Sequence, residues 1–296
     1  MKAFITANGY VSIDAPPVED AWDSARGAAR IAVNPPPALG GVLVAFALEL
    51  IGDGGRAADL AGAFEATTRA RIEAGLRDDP EGGAARLLSP DLVARYRVEL
   101  QGRKAASRGT THISVVDGNG MGAALTISNG EGNGAIIPGT GIMPNNMLGE
   151  EDLVPGGWHA WTPDTRLSSM MTPMAVSWPD GGLAMLGSGG SNRIRTALAQ
   201  VLVNLLDRGM PLGAAVEAPR LHVEAGAMKA GPAAVDFELP GLAEEDRVAI
   251  LAAFGQARGW AEHSMFYGGV HAAMRDGRGN VSAAGDPRRA GVGIAG

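Results

Sequence analysis

Apolar and polar positions fall into blocks along this chain, and each block predicts an element. From Val42 to Ile51 nearly every position is apolar, with Pro35-Pro36-Pro37 and Gly40-Gly41 ahead and Gly52-Asp53-Gly54-Gly55 behind, which predicts a buried helix. Residues 57–76 interleave Arg69, Arg71 and Glu73 with apolar positions and predict a second helix. The stretch from Asp78 to Arg108 is rich in Gly, Pro and charge and reads as an exposed connector. From His112 to Ile127 two β runs flank Asp117-Gly118-Asn119-Gly120, a strong hairpin signal. Asn129 to Gly141 is a glycine-rich loop, and loops of that length in compact domains tend to be functional or disordered. Leu183 to Leu186 is a short apolar strand that runs into Gly187-Ser188-Gly189-Gly190-Ser191. Ile194, Leu198, Val201, Leu202, Leu205 and Leu206 then share one helical face, which Gly209 and Pro211 terminate. A last helix is expected over Glu244 to Ala257. Hairpin strands with amphipathic helices packed over them indicate a layered α+β domain.

Composition narrows the function classes. A hydrophobic content of 46% with 19% charged residues is that of a core-forming protein. The net charge of −7, without any Lys/Arg run, argues against nucleic-acid partners. The absence of cysteine removes disulfides, zinc–cysteine sites and thiol catalysis together, and leaves the compartment open. No stretch reaches the roughly 18 apolar residues of a membrane-spanning helix, so no membrane partner is expected. His159, His222, His263 and His271 show no metal-ligand spacing, so neither a metal nor a cofactor is expected.

The chemistry concentrates at Gly109-Thr110-Thr111-His112-Ile113-Ser114-Val115-Val116-Asp117. A threonine that becomes a chain terminus carries a hydroxyl and an α-amine on one residue, and the amine can act as base to the hydroxyl. Thr-Thr alone more often merely opens a strand, since threonine favours strands. Here the run matches, without a gap, the Thr-Thr-His-x-Ser-Val-Val-Asp motif at the start of the small subunit of γ-glutamyltransferases, and the chain resembles that family from about Pro35 to Asp286.

The resemblance implies a four-layer αββα sandwich of the N-terminal-nucleophile hydrolase type. It also implies that Thr110 attacks the Gly109 carbonyl, splits the chain there, and then attacks γ-glutamyl amides such as glutathione, with water or an amino acid as acceptor. Gly109 suits that step, because its permissive backbone accommodates a twisted peptide. In the family a Gly-Gly oxyanion hole precedes a Ser/Arg helix start, which maps onto Gly189 and Gly190; the spacing also admits Gly190 and Ser191. Arg166-Leu167-Ser168-Ser169-Met170 matches the motif whose paired hydroxyls, Ser168 and Ser169 here, hold the substrate α-carboxylate. In Gly141-Ile142-Met143-Pro144-Asn145-Asn146-Met147 the family asparagines are kept, among them Asn146, but Met147 stands where the family has Gln or Glu. The acid that pairs with the substrate ammonium falls on Glu150, followed by Glu151 and Asp152. Ser128 and Asn129 lie near the family's hydroxyl and asparagine beside the nucleophile.

Only 109 residues precede Thr110, where the family has a much larger subunit. Residues 1–109 therefore read as the end of the large-subunit region and 110–296 as the small-subunit region, both within one domain. The family's carboxylate-clamping arginine has no counterpart. The expected product is a self-processed heterodimer, or a chain that needs a missing N-terminal region. Two alternatives stay open: an acylase for other amides (cephalosporin-like or poly-γ-glutamate), suggested by Met147, and an inert fragment or binding half.

Overall fold

The computed structural model describes residues 2–5, 11–14, 22–36, 38–52, 57–99, 110–130, 132–150, 153–154, 156–157, 159–164, 166–223, 235–255 and 257–296. Gly109, Glu151 and Asp152 lie outside them. The chain opens with β1 (Lys2–Ile5), β2 (Val11–Asp14), β3 (Trp22–Arg26) and β4 (Ala29–Val33). Four helices follow: α1 (Gly40–Ile51), α2 (Ala57–Glu73), α3 (Pro80–Leu87) and α4 (Pro90–Glu99). Next come β5 (Thr110–Val116), β6 (Gly122–Ser128), β7 (Met174–Ser177) and β8 (Leu183–Gly189). Then follow α5 (Arg193–Leu202), α6 (Leu212–Glu217), β9 (Leu221–Val223), β10 (Val235–Glu238) and α7 (Glu244–Ala253). The chain ends with β11 (Arg258–Trp260), β12 (Gly269–Arg275) and β13 (Val281–Ala284).

The central sheet is antiparallel, in the order β13-β12-β8-β7-β4-β3. Ala184 and Leu186 of β8 join one core with the buried faces of α1 and α5. The alternate positions of β8 face the other way, onto the β5–β6 hairpin. A β-carbon at Gly187 would lie 2.2 Å from the His112 ring, and Met185 already abuts Gly122. The molecule is thus layered as helices, sheet and second sheet, the α+β architecture expected. Among the described residues no helix covers the outer face of the hairpin. There Ile113, Val115, Leu125 and Ile127 are each between 45% and 55% exposed.

Four sequence expectations are corrected. The supposed connector from residue 78 contains α3 and α4. Pro80 and Pro90, the prolines that made the stretch read as a connector, occupy the first helical position, where proline loses no hydrogen bond. Asp79 caps α3 by accepting from the Gly82 amide at 3.0 Å, and the Ser89 hydroxyl accepts from Leu92 at 3.4 Å. The strand expected to end at Leu186 runs to Gly189, so the glycine-rich stretch is mostly strand and the turn shrinks to Gly190, Ser191 and Asn192. The second helix ends at Glu73, where Gly75 (φ 64°) closes it, and α7 ends at Ala253. The face predicted from Ile194 to Leu206 continues through a π-helical turn, Val203–Asp207.

Candidate active site

Thr110 opens β5 opposite Ser128, the last residue of β6. Their side chains meet: Thr110 Oγ1 donates to Ser128 Oγ at 3.2 Å, and Ser128 Oγ accepts the Gly130 amide at 3.1 Å. Beside them lies a small cleft of about 30 Å³, walled by Ser169, Met170, Met171, Met147, Glu150, Leu153, Ser191, Asn192 and Ile194. Four separate segments thus converge on one hydroxyl.

Beneath Thr110, β8 presents glycine at alternate positions. A β-carbon at Gly189 would fall 2.0 Å from the Thr110 carbonyl oxygen. Glycine in a strand often marks a close approach of another backbone, and Gly189 serves that purpose here. It does not line the cleft. The chain leaves the strand at Gly190 (φ 130°) and joins the cleft lining at Ser191 (φ 52°). The carbonyls of Gly190 and Ser191 accept the amides of Arg193 and Ile194 at 3.0 and 3.1 Å. Those bonds start α5, whose N-terminal end, with its positive dipole, then borders Thr110.

Ser169 lines the cleft, whereas Ser168 is buried behind it. Their segment is fixed from the N-terminal half of the chain. The Leu39 amide donates to the Ser169 carbonyl at 3.0 Å, and Asn34 Nδ2 donates to the Met171 carbonyl at 3.1 Å. A β-carbon at Gly40 would fall 2.3 Å from the Met170 carbonyl oxygen, so glycine is required where α1 meets this strand-like segment. On the opposite wall, Gly130 (φ 65°) leaves room for Asn146 and Glu150 to converge. A β-carbon there would lie 2.2 Å from Asn146 Oδ1 and 2.3 Å from Glu150 Oε1. Asn129 is exposed, and its carbonyl holds the loop by accepting from Gly132 and Asn146.

His112 sits under the hairpin, buried, with Nδ1 2.7 Å from Thr126 Oγ1 and Nε2 2.8 Å from Ser114 Oγ. Ser114 donates its own proton to the His271 carbonyl at 3.3 Å, so it accepts from His112 Nε2–H, and Nδ1 accepts from Thr126. Burial, assisted by nearby His271, pushes the imidazole down to about 4 and keeps it neutral. The ring serves as a fixed strut between β5 and β6.

The sequence motifs therefore bring Thr110, Ser128, Ser169 and Glu150 together at one cleft. Asn146 stands beside Glu150, while Ser168, Asn129, Gly189 and Gly190 sit outside the lining. Sequence reasoning missed Leu153, Met171, Asn192 and Ile194, which carry no motif of their own and reach the cleft through long-range packing.

The Acylase ACY 1 proenzyme of Pseudomonas sp. (strain SE83) is 36% identical over 146 residues, covering 48% of this chain and 26% of that protein. The Glutathione hydrolase proenzyme of Bacillus subtilis (strain 168) is 34% identical over 131 residues, 44% of this chain and 22% of that one. The chain thus matches about a quarter of the length of these curated relatives. The crystal structure of cephalosporin acylase from Bacillus halodurans shares the fold, with a TM-score of 0.74 and 20% identity over 93% of this chain and 53% of its own. Residues 11–296 match the family described as Gamma-glutamyltranspeptidase. With that match spanning nearly the whole sequence, the chain belongs to the gamma-glutamyltranspeptidase family, and its fold is of the N-terminal-nucleophile hydrolase type.

Proposed function

We propose that this chain carries the nucleophile region of an enzyme that hydrolyses or transfers γ-glutamyl amides such as glutathione. The observation that carries the reading is the position of Thr110 Oγ1, 3.2 Å from Ser128 Oγ at a cleft shared with Ser169, Glu150 and the Ser191 turn. In the maturation step Thr110 Oγ1 adds to the Gly109 carbonyl, the Gly109–Thr110 C–N bond breaks, and the resulting ester is hydrolysed. Residues 1–109 and 110–296 would then be separate chains of one heterodimer.

The freed α-amine takes the hydroxyl proton as Thr110 attacks the γ-glutamyl carbonyl. Ser128, already bonded to that hydroxyl, orients it. The developing oxyanion falls at the head of α5, where the amides of Gly190 and Ser191 are its donors, the pairing whose Ser191 lines the cleft. The C–N bond of the amide then breaks, the amine leaves with the proton, and water or an amino acid releases the acyl group. Ser169 recognises the α-carboxylate, with Ser168 supporting it from behind. Glu150, beside Asn146, recognises the α-ammonium.

Quenched-flow release of p-nitroaniline from γ-glutamyl-p-nitroanilide tests the covalent step. A burst of one equivalent per chain, with an acyl adduct on the 110–296 fragment, supports it. Release without a burst or an adduct contradicts it.

A second reading, an acylase for other amides, is favoured by the walls. Met147, Leu153, Met171 and Ile194 line the cleft, and Met147 replaces a polar family residue. Under that reading glutaryl-p-nitroanilide, which lacks the α-ammonium, is turned over at least as well as the γ-glutamyl compound.

A further inference from the structure

Ser191 holds a backbone conformation that serines seldom adopt. Four described non-glycine residues have positive φ, and Ser191 (φ 52°) is the one among them that lines the Thr110 cleft. A glycine would adopt that conformation without strain, and glycine is what its neighbour at 190 supplies. Strain of this kind persists where surrounding structure enforces it, and it clusters at functional sites. Here the enforcement is visible. The Gly190 and Ser191 carbonyls are tied into the first turn of α5, and a β-carbon at Gly190 would meet Gly268 Cα at 2.8 Å. The turn is held from both sides, and it places Ser191 in the lining of the cleft that Thr110 shares.

We infer that the Ser191 hydroxyl is a side-chain donor to the oxyanion, added to the backbone donors of the same turn. The inference rests on the Thr110 reading above. As Thr110 Oγ1 adds to the acyl carbon, its proton passes to the Thr110 α-amine and the carbonyl π pair becomes the oxyanion. Ser191 Oγ–H donates to that oxygen and keeps its own proton throughout. The turn fixes the Ser191 Cβ, so the hydroxyl reaches the oxyanion by rotation about χ1 alone. A glycine would supply only its amide.

The test compares Ser191→Gly and Ser191→Ala with wild type in pre-steady-state acylation by γ-glutamyl-p-nitroanilide, alongside thermal melts and Thr110→Ala. Both substitutions should slow acylation on the order of 100-fold, the effect of losing one oxyanion donor, with KM little changed. Ser191→Gly, which removes the strain together with the hydroxyl, should melt no lower than wild type. Wild-type acylation in either variant, or a slowdown accompanied by a lowered melting temperature in Ser191→Gly, overturns the inference while leaving Thr110 in place. A wild-type chain as inactive as Thr110→Ala overturns the Thr110 reading and this inference together.

Discussion

Gly189 and Thr110 are in backbone contact: the α-carbon of one strand presses on the carbonyl of the other, with no room for a methyl group between them. The position of the nucleophile candidate is therefore set by a missing side chain in the sheet below. Gly189→Ala must push β5 outward, since a β-carbon would sit 2.0 Å from the Thr110 oxygen. A displacement of about 1 Å at a reacting group costs on the order of 100-fold in rate, and overpacking costs about 1–3 kcal/mol of stability. Gly118→Ala, in a hairpin turn with open space around it, is the control and should leave both self-cleavage and melting near wild type. Gel-based cleavage assays and melts on both variants decide the matter. Full cleavage by Gly189→Ala would show that Thr110 does not depend on this contact.

Ser168 and Ser169 should separate on mutation, because one is buried and the other lines the cleft. Ser169→Ala should raise KM for substrates with a free α-carboxylate by roughly 1.5–3 kcal/mol equivalent, the usual worth of a hydrogen bond to a charged group. Substrates lacking the carboxylate should respond much less. Ser168→Ala should act mainly on melting temperature. Steady-state kinetics on the substrate pair checks this, and an equal loss for both substrates would assign Ser169 to the fold.

His112 predicts an acid-sensitive hairpin. Its folded-state pKa, lowered to about 4 chiefly by burial, lies below that of the unfolded chain, so the unfolded state binds the proton first. Its contribution is complete above the unfolded value near 6.5 and is lost as pH falls from there toward 4. The full linkage is up to about 3 kcal/mol, an order-of-magnitude figure. His222 and His271, also shifted downward by burial, act in the same direction. Melts from pH 8 to 4.5 should show wild type losing stability below pH 6.5. His112→Asn should start lower and fall less steeply. Parallel curves would remove His112 from the acid response.

Much of the site was legible because its parts are local. Thr110 at the mouth of a hairpin, Ser169 in a short motif and Glu150 in an acidic loop each announced themselves through neighbouring residues. The long-range contacts did not. Gly40 was legible as a turn before a helix, yet its tight approach to the Met170 carbonyl is a property of the folded chain alone. Gly187 and Gly189 read as part of a glycine-rich turn after the strand, because a glycine run looks the same whether it makes a turn or admits a neighbouring strand. Pro80 and Pro90 misled in the same way, since a proline that starts a helix resembles one that forbids it.

The outer face of the hairpin gives a prediction about association. Ile113, Val115, Leu125 and Ile127 form one exposed apolar patch on a two-stranded sheet whose other face packs on β8. Patches of this kind seek a partner or self-associate. Light scattering of the isolated chain should detect oligomers, and Ile113→Lys with Ile127→Glu should reduce them with little change in melting temperature. A wild-type chain that stays monomeric at high concentration would show that the face needs no cover.

The account turns on Thr110, and the most direct measurement is mass analysis of the purified chain during incubation, with Thr110→Ala in parallel. The wild-type chain should divide into residues 1–109 and 110–296, with Thr110 as the new N-terminus, and should gain γ-glutamyl-p-nitroanilide hydrolysis as it divides. Thr110→Ala should remain whole and inactive. Hydrolysis by Thr110→Ala, or by a wild-type chain that stays uncut, would contradict the claim that this hydroxyl performs both steps.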